Sequence, residues 1–109
     1  MTYDDGLAHR VRETLGDRHG LTEKELFGGI AFMLEGNVVC GVADDAFVAR
    51  VGADAYDDAL AEPHAREMDF TGRPMTGMVF VDPPGIASDD ALGSWVDRCL
   101  AHAESLPAK

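Results

Sequence analysis

Between Leu26 and Val42 the chain alternates short runs of bulky or β-branched residues with glycines, and few folds tolerate that pattern. Runs of four to six such residues bounded by glycine read as strands, and the breaks are too closely spaced for helices. Gly28-Gly29 marks a bulge or tight bend between two of them. Gly36-Asn37 reads as a two-residue hairpin turn, with glycine supplying positive φ at the first position. Asp44-Asp45 makes the next turn, and Ala46–Val51 is a further strand with Phe47 on one face and Val48 and Arg50 on the other. Residues 23–51 therefore form an antiparallel meander of three or four strands, the count depending on Gly28-Gly29.

Helical spacing appears on either side of this meander. Leu7, Val11 and Leu15 recur every four residues, with Asp4 or Asp5 to cap the start and Gly16 or Gly20 to end it. Thr22-Glu23-Lys24-Glu25 mimics a capping box but lies too near Gly28 for a stable helix, so a strand through residues 23–27 is expected. Asp54 is placed to cap a short helix, Ala55–Ala61, closed by Pro63. Arg66–Phe70 and Met75–Val81 read as strands joined by the turn Thr71-Gly72-Arg73-Pro74. Asp82-Pro83-Pro84-Gly85 is a stiff loop. Ser88 caps the last helix, whose apolar stripe runs from Leu92 through Trp95, Val96, Cys99, Leu100 and Ala103 to Leu106. Strands clustered centrally with helices at the ends imply an α+β fold, with helices on one face of an antiparallel sheet and all 109 residues in one domain.

Composition narrows the function. Nine Lys and Arg face twenty Asp and Glu, a formal net charge of -11. The basic residues are scattered, so direct nucleic-acid binding is not expected unless the fold gathers Arg10, Arg12, Arg18 and Arg50 into one patch. Anionic membranes are disfavoured likewise. The start of the chain is acidic and lacks a signal-peptide pattern, and no apolar run is long enough to span a bilayer, so a cytoplasmic location is expected. Cys40 and Cys99 sit at apolar positions of their patterns. A bridge between them is sterically conceivable, but two reduced thiols packing as small hydrophobes are expected.

Lys24–Met33 with Gly36-Asn37, the segment Val48–Gly52, the segment Met68–Met75 and the helix around Trp95-Val96 resemble the TfoX N-terminal domain family, which takes its name from regulators of bacterial natural competence. The similarity covers residues 3–106 and is to the short stand-alone members. It implies an α-β3-α-β2-α order of the secretion-chaperone-like kind and brings no catalytic residues. Phe27, Gly28, Gly29, Phe32, Met33, Gly36 and Asn37 are its structural motif. The competence regulators carry a further helical domain that this sequence does not show, and the negative charge suits direct DNA contact poorly.

No metal-ligand spacing stands out. Cys99 and His102 share a helix face three residues apart, but Cys99 belongs to the core stripe. The acid pairs Asp44-Asp45, Asp57-Asp58 and Asp89-Asp90 are explained by turns and caps. No nucleophile motif occurs, and no cofactor is expected. Arg73 with Thr71 on its turn, and Arg50, are the candidate binding residues, since a rigidly held arginine can fork onto a carboxylate. Internal ion pairing is the structural alternative for both. Met33, Met68, Met75 and Met78 fit a core better than an adaptable groove. The expectation is a non-enzymatic protein-binding or regulatory module that contacts a partner, or a second copy, through the uncovered sheet face or edge. The alternative is a small-molecule-binding protein or small enzyme with a pocket near Arg50 and Arg73.

Overall fold

The computed structural model describes residues 3–26, 29–69 and 74–107. The chain runs α1 (Asp5–Leu15), β1 (Leu21–Leu26), β2 (Gly29–Leu34), β3 (Asn37–Ala43), β4 (Ala46–Arg50), α2 (Tyr56–Leu60), β5 (Ala65–Asp69), β6 (Pro74–Val81), a 3-10 turn at Pro83–Ile86, and α3 (Asp89–Glu104). The six strands form one antiparallel sheet in the order β1-β2-β3-β4-β6-β5. The α+β class is as expected. The first group has four strands, one more than the α-β3-α-β2-α order implies, because β1 and β2 are separate strands paired down to Leu26 and Gly29.

The helix ends follow their capping chemistry. Asp4 accepts a hydrogen bond from the Leu7 N–H at 3.1 Å, and Gly16 ends α1 at φ +67°. Ser88 accepts from the Ala91 N–H at 3.1 Å, and Asp89 and Asp90 in the first turn of α3 suit the helix dipole. Asp54 does not cap α2. That helix starts later, its N-cap is Ala55 with no side-chain bond, and it is held by burial of Ala59 and packing of Tyr56 and Leu60 on the core. The stiff Asp82–Gly85 loop closes into the 3-10 turn, with proline at its start where a missing N–H costs nothing.

One turn is displaced from expectation. Leu34 pairs with Asn37, so Glu35 and Gly36 are the hairpin residues, at φ +50° and +85°. Positive φ at both positions is the turn that matches strand twist. Asn37 is freed from the turn and buried, and its side-chain amide donates to the Pro107 carbonyl at 2.9 Å, fastening the segment after α3 to the sheet.

Strand alternation sorts the side chains onto two faces. Toward the helices point Phe32, Cys40, Val42, Phe47, Val79 and Val81, which meet Val11, Leu92, Val96 and Cys99 in the main core. The opposite face has a smaller cluster of its own: Ala43, Val48, Met68 and Met78, with Val38 and Phe80 at the rim. Met68 reaches this cluster from a bulge in β5 between Glu67 and Asp69. The two outer strands, β1 and β5, carry Glu23, Lys24, Glu25, Arg66 and Glu67, charges that discourage pairing with another chain.

Candidate functional site

Of the residues expected to bind, the structure describes Arg50. Thr71 and Arg73 lie outside the described residues, as do Phe27 and Gly28 of the structural motif. Gly29 and Phe32 are buried and Met33 half-buried.

Arg50 stands where the β3–β4 ladder ends. Cys40 opposite Ala49 is the last pair, and β3 is irregular beyond it, where β2 passes from Phe32 to Met33. Arg50 pairs with Met78 of β6 on its other side, and its backbone N–H faces the Cys99 sulfur. Its guanidinium reaches the Val38 carbonyl at 3.4 Å. No carboxylate among the described residues lies within ion-pair distance of it, whereas Arg10, Arg12, Arg18, Arg66 and Arg98 each have one. Arg10, Arg12 and Arg18 belong to α1 and the turn after it and are paired with Asp89, Glu23 and Glu104, so their charges are locally compensated.

Directly after Arg50 the backbone makes a contact that only glycine permits. Gly52 takes φ +87°, and a Cβ on it would lie 2.6 Å from the His102 ring. The Val51 and Gly52 N–H groups both donate to the Gly77 carbonyl, at 2.8 and 3.1 Å, and Gly77 itself takes φ +93° against the Gly52 backbone. Two left-handed glycines thus fold the end of β4 tightly between β6 and the imidazole of α3.

This close approach leaves a groove of about 530 Å³ between the segment Val51–Ala55 and α3. Val51, Ala55 and Ala101 supply apolar wall. Asp54 and Asp58 stand on one lip, and Arg98 and His102 on the other. Arg98 is already engaged: it contacts Glu62 at 2.7 Å and stacks over Trp95, 5.0 Å from the ring centroid. Burial holds the His102 imidazole below the usual histidine range, and the Arg50 charge adds to this while Asp54 opposes it. His102 is therefore a neutral hydrogen-bonding group at neutral pH.

The two cysteines are free and buried. Burial pushes Cys40 well above the usual thiol range, with Cys99 adding to the effect. Burial pushes Cys99 up to about 12, against partial relief from the Arg50 N–H and Arg98. Both are protonated packing groups at neutral pH, and thiols in that state are inert nucleophiles. Among the described residues no three His, Cys, Asp or Glu side chains come together to hold a metal ion. Met68 and Met78 are core residues. No described helix is long and apolar enough to cross a membrane.

Sequence reasoning missed Gly52, Asp54 and Asp58 as groove residues and Gly77 as the residue that holds Gly52, and it considered His102 only as a metal ligand. One local signal was available: a glycine two positions after the arginine that ends a strand. The groove itself joins residues some fifty positions apart, which no local pattern reports.

The family model for the TfoX N-terminal domain matches residues 13–103, covering β1 through nearly all of α3. Searches of curated proteins and of solved structures returned no match.

Proposed function

This chain belongs to the TfoX N-terminal domain family, and from that premise we propose that it is a non-enzymatic protein-binding module with a regulatory role. Its contact surface is the groove between the Val51–Ala55 segment and α3. One observation carries this reading: the glycine-lined end of β4 opens a 530 Å³ concavity with apolar walls and polar groups on both lips. The charged outer strands and the buried cluster on the other sheet face make those surfaces poorer sites for a partner. Regulation would proceed through protein contact rather than DNA contact, since the described arginines of α1 are occupied by carboxylates and the net charge is -11.

A photo-crosslinking residue at Ala101, exposed on the groove, tests the reading in the native cell, with Thr22 on β1 as control. Discrete protein adducts from Ala101 are expected. Absence of any protein adduct from both positions contradicts the reading.

A second reading, a small-molecule-binding protein or small enzyme, is favoured by the same cavity, whose volume falls in the roughly 300–1,000 Å³ range of small-ligand sites. Its pocket would be beside Arg50 through His102. Mass spectrometry of small molecules released from the purified protein separates the two: a stoichiometric ligand favours the second, protein adducts the first.

A further inference from the structure

We infer that the groove between the Val51–Ala55 segment and α3 receives a lysine- or arginine-bearing apolar segment of a partner protein. The inference rests on the protein-binding reading and names the chemistry of the occupant.

Three features of the groove point the same way. Its walls are built from the smallest side chains, Gly52, Ala53, Ala55 and Ala101, so the space is left open for an outside group. The carboxylates of Asp54 and Asp58 on one lip have no cation within ion-pair distance among the described residues. The one cation on the lips, Arg98, is held by Glu62 and Trp95 and does not neutralise them. A long basic side chain matches this combination, because its alkyl stem covers apolar wall while its head reaches the carboxylates. A neighbouring apolar residue of the same segment would rest on Val51 and Ala55.

The wider field agrees with the local one. Asp57 and Asp97 belong to α2 and α3, both of which contribute to the groove, and the net charge of -11 attracts cationic partners and repels acidic ones. A second copy of this chain is a poor occupant. It carries the same repelling charge, and five of its seven described Lys and Arg side chains already have carboxylate partners.

The test is an amide NMR titration of the full chain with an end-capped hexapeptide alternating lysine and leucine, at low salt. A glutamate–leucine peptide and n-butylamine serve as the other arms. Shifts concentrated at Ala53, Ala55, Ala101 and His102 are expected for the lysine peptide alone. Asp54→Asn/Asp58→Asn should weaken it about tenfold, equivalent to roughly 1.4 kcal/mol. Ala101→Trp, filling the groove from an exposed helix position, should abolish it. Equal binding of the glutamate peptide, shifts spread over the whole surface, or full affinity in both variants overturns the inference. So does butylamine binding as tightly as the peptide, which makes the groove a site for small amines. Protein adducts from Ala101 in the cell, combined with no response to the lysine peptide, remove the basic occupant and leave the protein-binding reading standing.

Discussion

The two faces of the sheet are built from the same strands and serve different ends. The helix-facing side buries Phe32, Phe47 and Trp95 among the side chains of all three helices and ends in the groove beside His102. Among the described residues the opposite side holds four buried residues, of which the two largest are methionines. Stability is thus concentrated on the helical side, and the candidate site is a continuation of that core into solvent. A binding surface carried by the best-packed part of a molecule is positioned by rigid elements, here β4 and α3, rather than by loop contacts alone.

Core truncations should separate the faces most widely. Phe47→Ala is expected to cost about 3–5 kcal/mol in urea unfolding, and Met68→Ala about 2 kcal/mol, the low end for such a change because methionine clusters readjust. Equal costs would break the comparison.

The glycine contact comes next. Gly52→Ala forces a left-handed alanine, worth about 1–2 kcal/mol, and also pushes on the His102 ring. In a double-mutant cycle His102→Ala should recover the steric part and leave the backbone part, giving a measurable coupling between the two positions. Strict additivity would mean the two groups do not touch.

Acid titration sharpens the distinction further. His102 binds its proton less readily folded than unfolded, so the unfolded state takes up more protons as pH falls. Stability should begin to drop as pH falls below about 6.5, the ordinary histidine value, and the loss should be complete below the folded-state value. His102→Gln should flatten that part of the curve. The Arg12–Glu23 pair acts lower: its hydrogen bonds hold the Glu23 carboxyl below the usual range, a contribution present above pH 4.5 and lost as pH falls through the folded value.

The smallest effect belongs to that pair itself. Both side chains are more than a third exposed, so Glu23→Gln should cost about 0.2–1 kcal/mol and less at high salt. A larger loss would show that the edge strand β1 depends on its tether to α1.

What the sequence revealed follows the range of the interactions. α1 and α3 were legible because their apolar spacing, Asp4, Gly16 and Ser88 act within a turn or two. The strands were legible from composition and glycine breaks. The hairpin at Glu35-Gly36 was misplaced by one residue because Gly36 suits either turn position, and the choice depends on Asn37 reaching Pro107, seventy residues away. Asp54 looked like a cap because its type and place were right, yet α2 is fixed by what it packs on. Arg50 was picked out by its chemistry alone. Its actual setting, beside Cys99 and near His102, arises from the meeting of β4 with α3, and the groove is hidden from local reading for the same reason.

The most direct measurement is the pH titration of the His102 imidazole by NMR, in the free protein and with saturating lysine–leucine peptide. The free imidazole should titrate below 6.5 and fall further when a basic head group occupies the neighbouring lip, because a second positive charge disfavours the imidazolium. A His102 that titrates at its ordinary value in the free protein would contradict its burial against the groove wall, and one indifferent to the bound peptide would contradict a basic occupant in this groove.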